Sequence, residues 1–185
     1  MAVLVSCPVA ATAAPKPKPK PKCEGRCAAI VEIAATHCRN APKRVDRGFL
    51  KRLVEIELEL GVPDRYRGMV LSAACRESGY RAKPRRGDGG RAVGLLQMWP
   101  WWEKRYKIKR TDPYASARAW ITQILKSVRK ARRVCGRKRA FVSAWAWVAS
   151  GPQRWRCRSP RHYRLLRKWH RKSRWPSTRP STAAE

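Results

Sequence analysis

The chain of 185 residues carries 44 Lys and Arg, 12 Asp and Glu, and a formal net charge of +32. This length holds one domain with a sizeable core plus tails, and a charge of this size indicates a polyanionic partner such as nucleic acid, anionic lipid or cell-wall polymer. No apolar run reaches the roughly 20 residues that span a bilayer, so we expect no transmembrane segment. We also expect a monomer.

The seven cysteines are typical of an oxidising compartment and predict up to three disulfides. We therefore expect an exported protein, either periplasmic, extracellular or associated with the cell envelope, and the composition equally suits a phage virion or lysis protein. Residues 1–22 read as a signal-like start followed by a Pro-Lys linker. Proline removes backbone donors and the like charges repel, so the linker predicts an extended spacer.

Residues 23–45 predict a short helical element whose inner face carries Cys27, Ile30, Val31, Ala34 and Cys38. Disulfides from this face would attach the element to the rest of the domain, and Cys75 is expected to be either a buried thiol or the partner of Cys38. A zinc site is the alternative, with Cys23, Cys27, His37 and Cys38 as ligands. Two of those ligands are adjacent in sequence, which suits a tetrahedral site poorly.

Two helices are expected next. Asp46 predicts the N-cap of the first, and Gly61 followed by Pro63 predicts its end. The second is predicted to start at Pro63, which is favoured at a first helical position, and Gly79 supplies a left-handed stop. Extending the apolar stripe of this second helix by one turn reaches Glu77, so its carboxylate is predicted to point toward the buried side.

The C-terminal half predicts three more helical stretches. Asp112 caps the first, and 140–149 is apolar on all sides and predicts a buried central helix, with Cys135 and Cys157 expected to pair across it. Residues 158–185 form a cationic Arg/Trp-rich tail, within which His162, Leu165, Leu166 and Trp169 share one face of an amphipathic helix. No strand-type alternation occurs, so we predict an all-α domain over 46–157 with disordered basic N-terminal and C-terminal extensions.

A lone carboxylate on the apolar side of a helix C-terminus is a candidate general acid. Burial and the negative end of the helix dipole both favour the neutral form of Glu77, which is the form that protonates a leaving oxygen. The structural alternative is a salt bridge from Glu77 to a neighbouring cation such as Arg76 or Arg81.

Separated segments resemble one known family. The stretch Glu77-Ser78-Gly79-Tyr80, followed after a Gly-rich interval by Ala92-Val93-Gly94-Leu95-Leu96-Gln97-Met98, resembles the Glu-Ser and Gly-Leu-Met-Gln signatures of soluble lytic transglycosylases. These belong to the goose-type lysozyme-like family. Asp112-Pro113 and the segment 144–152 follow in the order of that family's later motifs, and the resemblance covers roughly residues 46–157.

The resemblance implies a lysozyme-like fold and a peptidoglycan lytic transglycosylase that cleaves the MurNAc–GlcNAc β-1,4 bond. Glu77 would be the sole catalytic acid/base: it protonates the glycosidic oxygen and then deprotonates the muramoyl C6 hydroxyl, giving 1,6-anhydro ends without metal or organic cofactor. Ser78 would orient Glu77 or the substrate, and Gln97 would bond sugar. The full set of implied substrate-binding residues is Ser78, Tyr80, Gly94, Leu95, Gln97, Met98 and Trp147.

Two departures from the family pattern leave alternatives open. Val148-Ala149 replaces the family's Tyr-Asn pair, so Trp145 or Trp147 would supply the missing sugar contact. Asp88 is a candidate second carboxylate that could hold a water for lysozyme-type hydrolysis. Among the other aromatic residues, Trp99 and Trp102 are predicted to be core, while Trp101 and Tyr106 suit either the core or a glycan groove.

The cationic tail suggests a partner besides the glycan strand. In the enzyme interpretation it holds the protein to anionic envelope polymer or lipopolysaccharide. The competing interpretation is a non-catalytic binder on a lysozyme-like scaffold, in which basic residues interleaved with aromatics bind nucleic acid or lipopolysaccharide.

Overall fold

The structure is a computed structural model that describes residues 23–81, 84–150 and 157–173. Across these residues there are helices, turns and two isolated bridges but no strand, so the predicted all-α class is confirmed. The helices are α1 (Arg26–His37), α2 (Arg47–Glu59), α3 (Met69–Glu77), α4 (Trp101–Tyr106), α5 (Pro113–Ser150) and α6 (Arg161–Lys172). None of them combines the length and hydropathy needed to cross a membrane. The predicted start and linker at 1–22 lie outside the described residues.

Helix α2 has the two ends that its sequence predicts. The Asp46 carboxylate accepts a hydrogen bond from the Phe49 N–H at 3.0 Å, which satisfies a backbone donor that the first turn leaves free. At the other end Gly61 takes a left-handed conformation with φ 69°. The N–H of Val62 then donates to the Glu57 carbonyl at 2.9 Å, which completes a Schellman ending.

Helix α3 begins later than its sequence predicts. Pro63 precedes only a short 3-10 turn, Asp64–Tyr66, and α3 starts at Met69 after a left-handed Gly68 with φ 86°. The predicted start at Pro63 is therefore wrong. The cause is a cap supplied from another helix, because the Glu57 carboxylate accepts the N–H of Gly68 at 2.6 Å and the N–H of Val70 at 2.7 Å.

The capping carboxylate of Glu57 is completely buried. Burial raises the pKa of Glu57 to about 7, against the opposing effect of the two backbone N–H donors and the charge of Arg67. A carboxyl group without solvent is destabilised as the anion. Helix α3, which ends at the candidate catalytic residue, thus begins on a buried titratable group.

The end of α3 agrees with the prediction. Gly79 has φ 60°, and its N–H donates to the Ala74 carbonyl at 3.0 Å. A Cβ at this position would lie 2.0 Å from the Asn40 carbonyl oxygen. Glycine is required here by both the backbone conformation and the close approach of another chain segment.

Helix α5 contains the predicted buried segment. The Asp112 carboxylate accepts the N–H groups of Tyr114 and Ala115 at 2.9 and 3.0 Å, as expected for the cap. Gly136, with φ 73° and ψ 162°, interrupts the helix. Beyond the interruption every residue of 140–147 is buried, and Trp145 has no exposed surface, which confirms a central helix surrounded by protein.

Helix α6 confirms the amphipathic helix predicted within the cationic region. Leu166 and Trp169 have no exposed surface, and α6 packs against α1 and α3. His170 donates its Nε2–H to the Arg67 carbonyl at 2.8 Å, and burial lowers the pKa of His170. Residues 161–172 therefore form part of the packed body, while residues 174–185 lie outside the described residues.

Three disulfides are present among the described residues, and two of them join distant parts of the chain. Cys38 in the loop after α1 pairs with Cys75 in α3, and Cys135 pairs with Cys157 across the second half of α5. The third bridge joins Cys23 to Cys27. Because a zinc ligand must be a free thiolate, these pairings remove the cysteines on which the zinc alternative depended.

Candidate active site

Glu77, the last residue of α3, opens onto a groove of about 540 Å³. The walls come from the end of α3, the loop that precedes α4, α4 itself, both halves of α5 and the start of α6. The lining residues are Ala73, Glu77, Asp88, Leu96, Gln97, Met98, Trp99, Trp101, Trp102, Trp120, Val148, Ala149, Ser150 and His162. A groove of this size, mostly apolar with a few polar groups, is typical of a ligand site.

The Glu77 side chain is more exposed than predicted. It retains 37% of its accessible surface, because the last turn of α3 extends past the core and into the groove. Neither predicted arginine partner, Arg76 or Arg81, forms an ion pair with it among the described residues. Instead Glu77 Oε1 lies 2.8 Å from Nε2 of His162.

His162 is packed beside the carboxylate, with its ring inside the protein. Its residue exposure is 7%, and its ring stacks on Trp145 with centroids 6.4 Å apart and planes inclined by 22°. Within the described part of the chain, Nδ1 is buried without a hydrogen-bond partner. The ring therefore contacts Glu77 through Nε2, while Nδ1 is buried.

No local sequence pattern predicts this pairing. The two residues are 85 positions apart, and the helical pattern around His162 indicates only that it faces inward together with Leu166 and Trp169. Their meeting results from the packing of α6 against α3.

The loop before α4 is braced by Gln97. Its Oε1 accepts the Gly87 N–H at 3.0 Å and its Nε2 donates to the Gly94 carbonyl at 3.1 Å, so the amide joins two turns of the loop while lining the groove. Met98 is buried and forms part of the floor. Gly94 has φ 77° and approaches Arg110 so closely that a Cβ would lie 2.0 Å from its carbonyl oxygen, so its role is in packing.

Two tryptophans form an exposed aromatic rim. Trp99 and Trp101 keep 41% and 40% of their surface exposed, and the Nε1–H of Trp99 donates to Asp88 Oδ2 at 3.1 Å. The prediction that Trp99 is core is wrong, because this hydrogen bond holds the ring at the surface. Trp102 is buried as predicted and stacks on Trp101 at 4.2 Å, while Tyr106 is half-buried and bonds Gln123.

Four of the predicted substrate-binding residues point elsewhere. Ser78 is buried and its Oγ donates to the Ala74 carbonyl of its own helix at 3.0 Å. Tyr80 is buried against α1, and burial raises the pKa of its hydroxyl. Leu95 and Trp147 are core residues. None of these four lines the groove.

The wall opposite the Gln97 loop is nearly featureless. It consists of Val148, Ala149 and Ser150 at the end of α5. Trp145 and Trp147, considered as replacements for the missing Tyr-Asn pair, are both buried in the core. Among the described residues that line the groove, the exposed aromatic rings are those of Trp99 and Trp101.

Comparisons of the chain with models of protein families, with curated proteins and with solved structures yield no match.

Proposed function

We propose that the protein is a peptidoglycan lytic transglycosylase that uses Glu77 as its only acid/base. The observation that carries the proposal is the placement of Glu77, a partly exposed carboxylate beside a buried imidazole, in a groove with an exposed aromatic rim. Flat aromatic faces offer stacking surfaces to the apolar faces of pyranose rings. The three disulfides and the absence of a membrane-spanning helix among the described residues support an exported protein.

The carboxyl group of Glu77 acts first as a general acid and then as a general base. Protonated Glu77 gives its proton to the glycosidic oxygen as the bond to the anomeric carbon breaks, and the resulting carboxylate takes the proton of the muramoyl C6 hydroxyl as that oxygen bonds to the same carbon. Because the nucleophile is part of the substrate, no second carboxylate is needed. His162 is a positioning residue that fixes Oε1 from behind and leaves the second oxygen free to face the sugar.

A hydrolytic outcome is the second candidate, and Asp88 favours it by lining the same groove. Its carboxylate is anchored by Trp99 and would hold an attacking water in the manner of an inverting glycosidase. The two candidates give different products from one substrate, namely 1,6-anhydro ends and reducing ends.

Mass spectrometry of muropeptides released from sacculi tests both candidates. The wild-type protein should release anhydro-muropeptides, and Glu77→Gln should lower the rate by roughly 10²–10⁴-fold, the usual contribution of a general acid. Asp88→Asn is the matched control, which removes a carboxylate from the same groove and should retain anhydro products. Reducing-end products that disappear in Asp88→Asn would establish hydrolysis instead, and equal release by wild type and Glu77→Gln would refute catalysis by Glu77.

A further inference from the structure

A row of exposed cations begins beside Glu77 and follows α6. It consists of Arg76 from α3 and of Arg161, Arg164 and Lys168 from α6, and we call these four residues the cationic strip. All four line one shallow groove and all are exposed. On α6 they recur at intervals of three and four residues, which places them on one side of the helix.

Unlike a few other arginines, these cations have no acidic partner among the described residues. Arg47, Arg52 and Arg118 each form an ion pair with a glutamate. No ion pair among the described residues includes a member of the cationic strip, and the grooves along it contain a single acid, Glu77. Like charges without partners repel one another, and this repulsion destabilises the unliganded protein. A bound anionic ligand would reduce the repulsion.

The strip is continuous with the candidate active site. One groove contains Glu77 and His162 together with Arg76, Arg161 and Arg164. This groove lies at the first turn of α6, where the free backbone N–H groups and the positive end of the helix dipole add to the side-chain charge. A ligand that occupies Glu77 can therefore reach the strip without leaving the surface.

The aromatic residues of α6 are buried or half-buried rather than exposed along the strip. Trp169 has no exposed surface, and Tyr163 is half-buried against Tyr66 and Trp145. Single-stranded nucleic acid is held by exposed aromatic rings that stack on bases between phosphate contacts. The described residues beside the strip include no exposed aromatic ring. This favours a ligand that carries separate anionic groups over single-stranded nucleic acid.

We propose that the cationic strip binds the carboxylates of the peptide stems that branch from the glycan strand. The inference rests on the proposed function, since it assigns the strip to the same substrate as Glu77. A stem attached to a sugar near Glu77 carries several free carboxylates on one flexible chain, and an arginine fork binds a carboxylate through two parallel hydrogen bonds. The strip thereby selects glycan that still carries its peptides.

Binding is measured with full-length Glu77→Gln protein, which leaves the glycan intact. Fluorescently labelled soluble glycan strands are titrated in two forms, with their stems and after removal of the stems by an amidase. The Glu77→Gln protein should bind stem-bearing strands about tenfold more tightly at 50 mM salt, and the preference should fall as salt rises because exposed charges are screened.

The strip is tested by adding Arg164→Gln and Lys168→Gln to that protein, which should abolish most of the preference for stems. The matched control adds Arg167→Gln and Arg171→Gln, which removes two exposed charges from the same helix without touching the grooves, and it should keep the preference. An equal loss in both variants, or no preference in the starting protein, overturns the inference.

Two further outcomes separate this inference from its alternatives. If labelled single-stranded DNA binds the starting protein more tightly than stem-bearing glycan does, and the Arg164 and Lys168 substitutions weaken it more, the ligand is nucleic acid and the inference is wrong. If the protein cleaves sacculi but shows no preference for stem-bearing strands, the proposed role of the strip is wrong and the proposed catalysis stands. If the wild-type protein releases no muropeptides but the preference for stems is present and depends on the strip, the proposed catalysis is wrong and the proposed role of the strip stands.

Discussion

Replacing the buried carboxyl of Glu57 should change how the stability of the protein depends on pH. The native carboxyl caps α3 through the N–H groups of Gly68 and Val70, and burial raises its pKa from 4.5 to about 7. Between those two values the folded protein holds a proton that the unfolded chain has released. Stability contributed by Glu57 is therefore complete below pH 4.5 and is lost as the pH rises toward 7.

The magnitude follows from the width of that window. At about 1.4 kcal/mol per pKa unit, a shift of this size corresponds to about 3 kcal/mol over the whole range, of which about 2 kcal/mol falls between pH 5 and pH 7.5. Glu57→Gln has no titrating group. It also turns an amide NH₂ toward a backbone N–H, and each buried donor left unpaired costs roughly 1–3 kcal/mol.

Denaturant unfolding of wild type and Glu57→Gln, followed by tryptophan fluorescence with the disulfides intact, checks the prediction. The free energy of unfolding of wild type should exceed that of the variant by about 2 kcal/mol more at pH 5 than at pH 7.5. Comparing the two proteins cancels the titration of other groups, including His170. A difference that stays constant with pH would contradict titration of Glu57 in this window, and one that grows with pH would mean that the N–H donors outweigh burial.

Two predictions concern α6. His162→Phe keeps a ring against Trp145 but removes the hydrogen bond to Glu77, so kcat/KM for glycan cleavage should fall about 10- to 150-fold, equivalent to about 1.5–3 kcal/mol. His162→Gln restores a hydrogen-bond donor and should recover part of the loss. If His162→Gln recovers nothing, the positioning role is wrong. Trp169→Ala should lower the free energy of unfolding, measured by denaturant titration, by about 3–5 kcal/mol, as for other buried tryptophans. The control Trp99→Ala removes an exposed ring and should lower it by much less. Equal losses in the two variants would contradict the packing of α6.

The sequence by itself determined the features whose causes lie within about one helical turn. Asp46 and Asp112 cap helices because a short acidic side chain reaches the N–H groups of the next turn, and Gly79 ends α3 because its φ suits no other residue as well. The buried helix at 140–149 could be predicted because a segment that is apolar on every side has no face for water. These signals are local, so they can be predicted from the sequence without knowledge of the fold.

The tertiary structure decided the features that depend on two distant segments. The start of α3 moved from Pro63 to Met69 because Glu57, on another helix, supplies the cap. Glu77 was predicted to be buried, yet its exposure and its bond to His162 follow from how α6 packs on α3. The sequence places a carboxylate at a helix end with Arg76 next to it, but His162, which orients the carboxylate, lies 85 positions away. Only packing brings α6, with His162 and the remaining cations of the strip, to Glu77.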